Sequence, residues 1–255
     1  MSLVPVSAVI IALNEEQRLE DCLASLAFCA EILVVDSGST DATVAVARSY
    51  GARVLQQEWL GFGAQKQWAV EHALHDWVLC IDADERVSEQ LSLAIQRHCG
   101  QPGIHAYRFP RCNFFLGRYL RHGEGYPDWS LRLFDRRHGR WSDDPVHEKV
   151  MVSGTVGNLT GDLVHDSADS LHHYLQKQNR YTTLQALRWD CRSKRSVVFS
   201  MVFSPLVRFF KFYFIRLGFL DGWPGFIHIL IGCLNSFFKY AKIYERQRQH
   251  KLASR

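Results

Sequence analysis

Apolar and polar residues follow two different periods along the first ninety residues. The predicted strands, each a short apolar run, are residues 6–13, 32–35, 53–56 and 77–81. Between them, apolar residues recur every three or four positions, which predicts helices. The first helix is predicted to begin with a capping box at Asn14 and Gln17, the second to end at Gly51, and the third to cover residues 64–74. This alternation predicts an α/β fold with a mostly parallel sheet and helices on both faces.

Polar segments follow three of the predicted strands, at residues 14–16, 36–41 and 82–85. In parallel sheets, ligands bind at the carboxyl ends of the strands, so these segments are the candidate site. The chain lacks both the GxGxxG dinucleotide fingerprint and the GxxxxGK[ST] phosphate loop, which argues against two common nucleotide-binding folds. Asp82 and Asp84, two positions apart at a strand exit, suit a hard cation that also bridges a diphosphate. Magnesium or manganese is therefore the expected metal.

Three of these segments, in order and spacing, resemble the nucleotide-diphosphosugar half of the family 2 glycosyltransferases. They are AVIIALNEE at residues 8–16, VVDSGSTD at 34–41 and IDADE at 81–85. Further segments, at residues 126–134, 145–148 and 218–225, are similar to the lipopolysaccharide core subgroup that adds glucose to an inner-core heptose. The resemblance implies a GT-A fold, with a Rossmann-like mostly parallel sheet. It also implies a UDP-sugar donor, a divalent cation and inversion at the anomeric carbon.

The resemblance also implies roles for individual residues. The residues it places at the nucleotide sugar are Ala12, Glu15, Asp36, Lys66, Asp82 and Asp84. Glu15 and Asp36 would hold the ribose and uracil, and Lys66 would reach a phosphate unless it is an ordinary exposed helix lysine. The metal ligands would be Asp82, Asp84 and His165, with His147 as the alternative to His165.

An inverting transfer needs a base that takes the proton of the acceptor hydroxyl, and a carboxylate is the usual choice. The chain lacks the Glu-Asp pair that many family members carry for this purpose. Glu148 is the preferred candidate because it lies where the family's base falls in chain order. Asp128, in a segment expected to line the acceptor, is the alternative. A surface ion pair with Lys149 or an arginine is the simpler explanation of Glu148.

Residues 105–141 interleave eight arginines with nine aromatic residues. Aromatic rings stack on sugars and guanidinium groups bind phosphate or carboxylate, so this segment predicts an anionic glycolipid acceptor. Single-stranded nucleic acid would use the same residue types, but the donor motifs upstream favour the glycan, and no nucleic-acid partner is expected. Residues 1–170 are therefore predicted to form the catalytic domain, with a nucleotide-sugar half at 1–100 and an acceptor half at 101–170.

The charge of the chain is divided unevenly. Residues 1–170 contain 15 basic and 23 acidic residues, whereas residues 171–255 contain 15 basic and 3 acidic ones. After a predicted connecting helix at 171–195, residues 196–245 are strongly apolar, but charged or helix-breaking residues interrupt each apolar stretch, so no membrane-spanning helix is expected. A polar stripe in the last helix is predicted to lie in a membrane interface; its members are His228, Asn235, Lys239, Lys242 and Arg246. The other interpretation is a helix packed on the catalytic body.

The sequence thus predicts an inverting, metal-dependent glycosyltransferase, peripheral on the cytoplasmic face of a bacterial inner membrane. It would transfer a hexose, glucose from UDP-glucose being preferred, to a lipid-anchored oligosaccharide such as the lipopolysaccharide inner core. Within the same class the alternative is a sugar transferase acting on polyprenyl phosphate. From other classes, the alternatives are a sugar nucleotidyltransferase and a non-catalytic membrane-surface binding protein.

Overall fold

The computed structural model describes residues 3–142, 148–166, 171–187 and 194–253. Contacts between residues divide the chain into two compact units, Met1–Arg111 with Asp128–His165, and Cys112–Pro127 with Asp166–Arg255. We call them the sheet unit and the helical unit. The sequence predicted one boundary near residue 170, whereas in the structure residues 112–127 belong with the C-terminal part of the chain.

Twelve strands and seven helices are present in the described residues. The strands are β1 (Val4–Ala12), β2 (Cys29–Asp36), β3 (Arg53–Gln56), β4 (Trp77–Asp82), β5 (Glu85–Val87), β6 (Ala106–Phe115), β7 (Arg118–Tyr119), β8 (Asp128–Asp135), β9 (Gly139–Trp141), β10 (Val150–Val152), β11 (Val156–Asn158) and β12 (Leu163–His165). The helices are α1 (Leu19–Ser25), α2 (Thr43–Ser49), α3 (Phe62–Glu71), α4 (Glu89–His98), α5 (Leu171–Leu187), α6 (Lys194–Phe210) and α7 (Gly222–Ala253). A π-helical stretch, Lys211–Ile215, and a 3₁₀ turn, Gly218–Asp221, connect α6 to α7.

The sheet has the strand order β3-β2-β1-β4-β8-β6-β12-β5. The first four strands are parallel, and β8 pairs antiparallel with both β4 and β6. Apolar side chains of β1 enter two core clusters, because alternate residues of a strand point to opposite faces. Ala8 and Ile10 pack with α1, α2 and α4, while Val9 packs with α3. The predicted mostly parallel sheet with helices on both faces is confirmed.

The start of the first helix differs from the prediction. Asn14 does not cap a helix: it adopts a left-handed backbone conformation with φ of 56°, and α1 begins only at Leu19. Its side-chain oxygen instead accepts the N–H of Thr40 at 2.9 Å, and its own N–H donates to Ser39 Oγ at 2.9 Å. The predicted capping box is therefore wrong, because the amide of Asn14 holds the loop that follows β2.

Residues 112–127 belong to the helical unit because buried polar contacts hold them there. Asp221 is fully buried, and its Oδ2 accepts the backbone N–H groups of Arg121 at 2.9 Å and His122 at 2.8 Å. Glu124 forms an ion pair with Arg208 of α6, whose Nε donates to Glu124 Oε2 at 2.9 Å. Contacts between residues so far apart in the sequence leave no signal in its local periodicity.

The polar stripe predicted on α7 lies mostly against another helix of the same unit. Most of its members contact α5: Tyr174 Oη lies 3.1 Å from His228 Nε2, Asn235 Nδ2 lies 2.8 Å from Gln178 Oε1, Lys242 Nζ lies 2.8 Å from Thr182 Oγ1, and Arg246 Nη1 lies 2.6 Å from the carbonyl oxygen of Ala186. These contacts favour the other interpretation, a packed helix, because the side chains satisfy polar groups of a neighbouring helix.

The exposed apolar surface of the helical unit lies instead on α6 and the π-helical stretch. Phe199, Leu206, Val207 and Phe210 each expose about three fifths of their surface. Within the described residues, the stretch Ser196–Ile215 contains an 18-residue window with a mean hydropathy of 1.5 and no buried residue, so by length and composition the stretch is long and apolar enough to cross a membrane. Val197, near its start, is 1% exposed and belongs to a small core cluster. The stretch qualifies because the helix continues through its charged residues, whereas the prediction from the sequence treated those residues as interruptions.

Candidate active site

The polar segments after β1, β2 and β4 meet at one edge of the sheet. Ala12 pairs with Asp36 across β1 and β2, and Ile11 pairs with Asp82 across β1 and β4. The carbonyl oxygen of Ala12 also accepts the N–H of Ser37 at 2.9 Å. This register places the carboxyl ends of three parallel strands side by side, as the strand pattern predicted.

Asp36 is almost completely buried and organises its own loop. Its carboxylate accepts the N–H of Gly38 at 3.1 Å and that of Ser39 at 3.1 Å and 3.2 Å. Gly38 has a φ of 99°, which a residue with a side chain rarely adopts. Asp36, predicted to contact the nucleoside, thus lies at the expected edge. Both of its carboxylate oxygens already accept hydrogen bonds from the loop.

The loop after β1 closes the amino end of α2. The N–H of Glu15 donates to Thr43 Oγ1 at 2.8 Å, and Glu16 Oε2 accepts the N–H of Ala42 at 2.8 Å. The carboxylate of Glu15 lies 3.8 Å from Arg18 and is partly exposed. Glu15 is therefore held at the edge by its backbone, with its side chain accessible to a ligand.

Asp82 is the centre of a cluster of charged groups. Lys66 Nζ lies 2.8 Å from its Oδ1, and Arg132 Nη2 lies 3.0 Å from its Oδ2. Glu148 Oε1 lies 3.8 Å from the same Lys66 Nζ. Burial raises the pKa of Asp82, but the charges of Arg132 and Lys66 outweigh burial and hold that pKa well below its usual range. Lys66 is only 5% exposed, so the alternative of an ordinary exposed lysine is excluded.

Asp84 and His165 form a separate pair. His165 Nε2 lies 3.3 Å from Asp84 Oδ2, because β12 pairs antiparallel with β5 and places His165 opposite Glu85. Burial raises the pKa of Asp84, while the hydrogen bond and charge of His165 outweigh it, so the net pKa is lowered. Both side chains are mostly buried but retain some exposure to solvent.

The side chains at this edge offer few free ligands for a divalent cation. Among the described residues, no three His, Cys, Asp or Glu side chains form a group that could hold a metal ion, and the oxygens of Asp82 are taken by Lys66 and Arg132. Asp84 nevertheless offers the carboxylate that Mg²⁺ and Mn²⁺ prefer, and the 3.3 Å between Asp84 Oδ2 and His165 Nε2 is close to the separation of two adjacent ligands of an octahedral ion, about 3 Å. Magnesium sites commonly use one or two carboxylates and complete the shell with water and phosphate oxygens.

Asp128 belongs to the same charged region through Arg111. Arg111 Nη2 lies 2.8 Å from Asp128 Oδ2, and its Nη1 lies 3.4 Å from Glu85 Oε1. Glu85 is fully buried, and its Oε2 accepts the N–H of Asp82 at 3.0 Å. Burial lowers the pKa of Arg111, but the charges of Asp128 and Glu85 outweigh it and raise that pKa. Both candidate bases therefore lie at the same edge as the aspartate pair.

The sequence assigned Arg132 and Trp141 to the acceptor only as members of an arginine-rich aromatic segment. In the structure, Arg132 binds Asp82, while other arginines of that segment have structural roles. Arg136 donates to the carbonyl oxygen of Ala73 at 2.7 Å, and Arg137 pairs with Asp135 at 2.6 Å. Position along β8 distinguishes them, since Arg132 lies in its middle and the other two follow its end.

His147, the alternative metal ligand, lies outside the described residues.

Comparisons with known proteins identify the family of the chain. Residues 7–152 match the family model for glycosyl transferase family 2. The chain is 36% identical to the lipopolysaccharide core biosynthesis glycosyltransferase LpsC of Rhizobium meliloti, over 98% of this chain and 95% of that protein. It is 29% identical to an uncharacterized glycosyltransferase of Rickettsia typhi, over 94% of this chain and 87% of that protein.

A similar solved structure is glucosyl-3-phosphoglycerate synthase from Mycobacterium tuberculosis, in complex with Mn²⁺, UDP and phosphoglyceric acid. It has a TM-score of 0.45 and 19% identity, and covers 70% of this chain and 76% of that one. The match to the family model extends over more than half of the chain, and the identity to LpsC over nearly all of it. The chain therefore belongs to glycosyltransferase family 2, and its sheet is that of the GT-A fold.

Proposed function

We propose that the protein transfers a hexose from a UDP-sugar, preferably glucose from UDP-glucose, to a lipid-anchored oligosaccharide such as the lipopolysaccharide inner core. The transfer inverts the anomeric carbon and depends on a divalent cation. The observation that carries this proposal is the placement of Asp82, Asp84, His165 and Glu148 at the carboxyl edge of a GT-A sheet. The class of acceptor is suggested by the name of the R. meliloti relative, which the chain matches over almost its whole length.

Donor binding is assigned to the loops around this edge. Glu15 and the loop organised by Asp36 would hold the nucleoside, and Asp84 with His165 would hold the cation. When bound, the cation would neutralise the diphosphate and stabilise the charge of the departing UDP. Lys66, nearly buried beside Asp82, would add a positive charge on the same side.

Glu148 is the better candidate for the base. Asp128 Oδ2 is engaged by Arg111 through both Nε, at 2.9 Å, and Nη2, at 2.8 Å. Glu148 has one ion-pair partner among the described residues, Lys66 at 3.8 Å, so its oxygens keep lone pairs for an acceptor hydroxyl. A general base must come within hydrogen-bond reach of the proton it takes, which favours a carboxylate that is not already engaged by an arginine through two close contacts.

Attachment to the membrane surface is assigned to the exposed apolar side chains of α6 and the π-helical stretch. Lys211 and Arg216 adjoin this surface and are exposed, and residues 171–255 are strongly basic. An apolar helix face beside basic residues suits an anionic lipid surface, such as the cytoplasmic leaflet of a bacterial inner membrane.

Calorimetric titration of UDP, with and without Mn²⁺, tests the donor site without knowledge of the acceptor. We expect UDP to bind the wild type only with metal, and Asp84→Asn to weaken that binding at least about tenfold because a cation ligand is lost. Asp76→Asn is the matched control, since Asp76 precedes the same strand at its opposite end and pairs with Arg136 and Arg137. Metal-independent binding, or equal loss in both variants, contradicts the assignment.

Transfer of labelled glucose from UDP-glucose to inner-core lipopolysaccharide tests the base. Glu148→Gln is expected to lower kcat by about 10²- to 10⁴-fold while UDP affinity changes little, because general bases contribute factors of this size. Asp128→Asn is expected to have the smaller effect on kcat. The reverse order would make Asp128 the base, and full activity in both variants would favour a phosphate acceptor, which needs little base assistance.

A further inference from the structure

Arg132 carries a buried donor that the described structure leaves without a partner. The side chain comes from the middle of β8 and is 9% exposed. Its Nη2 binds Asp82 at 3.0 Å and lies 3.7 Å from Glu85 Oε1, whereas its Nη1 is buried and has no hydrogen-bond partner among the described residues. A buried charged donor without a partner is costly, and native proteins rarely keep one without a functional reason.

The guanidinium lies beside a second buried cation on the same aromatic ring. Lys66 Nζ lies 4.9 Å from the ring centroid of Trp141, and Arg132 Cζ lies 5.5 Å from it. Trp141 is 3% exposed and is held by its Nε1, which lies 3.3 Å from Cys80 Sγ. The indole therefore fixes two positive groups around one carboxylate, that of Asp82.

This arrangement suits a ligand with more negative charge and more acceptor oxygens than a carboxylate. A phosphate offers three oxygens to a guanidinium fork and to an ammonium group together. Asp82 ends β4, two residues before Asp84, so the two cations lie at the edge where the donor's diphosphate is proposed to bind. The unpartnered Nη1 is part of the same guanidinium group whose Nη2 binds Asp82.

We propose that Arg132, fixed by Trp141, is a diphosphate-binding residue of the donor site, and that Asp82 holds its guanidinium in position until the donor binds. This inference rests on the proposed UDP-sugar site and assigns Arg132 to the donor rather than to the anionic acceptor. Arg132 donates charge-assisted hydrogen bonds to the β-phosphate, and Lys66 approaches the same group. No covalent step is involved.

A comparison of UDP with UMP isolates the contact with the β-phosphate, because UMP lacks that group. Calorimetric titrations in Mg²⁺ are expected to show at least about a tenfold loss of UDP affinity in Arg132→Met and less than about a twofold change for UMP. Arg132→Lys keeps the charge without the fork, so it is expected to recover only part of the UDP affinity. Arg137→Met, an exposed arginine paired with Asp135 just after the same strand, is the matched control and is expected to bind both nucleotides normally.

A purely structural role for Arg132 would weaken UDP and UMP alike, and that result overturns the inference. Unchanged UDP affinity in Arg132→Met also overturns it. If Arg132→Met does not fold, as judged by thermal melting, Arg132→Lys decides, since equal binding of UDP by that variant and the wild type contradicts a bidentate contact. Absence of UDP binding in the wild type would instead refute the proposed donor site itself.

Discussion

Among individual residues, Glu31 is a buried carboxylate outside the candidate site that binds several polar groups of the sheet unit. Glu31 of β2 is 7% exposed, and its oxygens accept hydrogen bonds from Ser7 Oγ, from the N–H of Leu74 at 2.6 Å and from Arg53 Nε at 2.9 Å. Burial raises the pKa of Glu31, but these hydrogen bonds and the charge of Arg53 outweigh it, so its pKa is lowered on folding. Glu31 therefore stabilises the fold in its ionised form.

Glu31→Gln should destabilise the protein by about 1–3 kcal/mol at pH 7, because buried partners lose a charged acceptor. A carboxyl group with a lowered folded-state pKa contributes stability above its unfolded value, about 4.3, and loses that contribution as the pH falls through the folded-state pKa. Urea denaturation measures the free energy of unfolding at each pH. The difference in this free energy between the wild type and the variant should therefore become smaller as the pH is lowered from 7 to 3. Glu71→Gln, an exposed change of the same kind, should stay within about 0.5 kcal/mol throughout. A difference that does not depend on pH would contradict the role given to the ionised form.

The amino-acid sequence was sufficient to identify some residues of the candidate site but not others. The i, i+2 spacing of Asp82 and Asp84 after an apolar strand is visible in the sequence because it depends on the backbone of one segment. Arg132 was visible only as one arginine among eight, because its partners come from β4, which precedes it in the chain by many residues.

At the scale of elements, a turn packed on a helix positions His165. Ser88 Oγ accepts the N–H of Leu91 at 3.2 Å and that of Asp162 at 3.0 Å, which joins the start of α4 to the turn before β12. Gly161 in this turn has a φ of 98°, and a Cβ on it would lie 2.3 Å from the backbone nitrogen of Leu91. This close approach sets the place from which β12 brings His165 to Asp84.

Gly161→Ala should cost at least about 2 kcal/mol more stability than Gly51→Ala, because both positions have positive φ but only Gly161 meets backbone atoms. Urea denaturation of the two variants measures the difference. Gly51, with a φ of 76° and nothing within 4 Å of an added Cβ, isolates the cost of backbone strain. Equal losses in the two variants would mean that the turn shifts without resistance and does not determine the position of β12.

At the scale of the whole molecule, the division of charge and of apolar surface suggests a membrane-attached enzyme. The acidic part of the chain contains the candidate site, and the basic part contains α6 with its exposed apolar side chains. Because the polar stripe of α7 mostly contacts α5, the proposed function assigns membrane attachment to α6 instead.

The triple substitution Phe199→Ser, Leu206→Ser, Phe210→Ser should lower binding to vesicles containing anionic phospholipid at least about tenfold, since each side chain loses the gain from burial in lipid. Flotation of the full chain with vesicles measures this, and UDP binding serves as the check on folding. Leu74→Ser with Leu93→Ser removes exposed apolar side chains from the sheet unit and should leave flotation unchanged. Undiminished flotation of the triple variant would refute the role of α6.

Substitution of Lys242 distinguishes the two interpretations of the polar stripe of α7, packing against α5 and binding at a membrane interface. Its Nζ lies 3.0 Å from the carbonyl oxygen of Asn179 and 2.8 Å from Thr183 Oγ1. Lys242→Met should therefore lower thermal stability, because these α5 acceptors lose a charged donor, and should leave vesicle flotation nearly unchanged. Loss of flotation with unchanged stability would restore the interfacial role of the stripe.

The alternation of strands and helices, the parallel sheet and the edge where its polar segments gather can all be predicted from the amino-acid sequence. These features depend on the period of apolar residues and on the rule that parallel strands end at one edge. Three features depend on the three-dimensional structure: Lys66 and Arg132 both bind Asp82, Asp84 lies beside His165, and the polar stripe of α7 mostly contacts α5. Such contacts join side chains from distant segments, and no local period records which segments become neighbours in space.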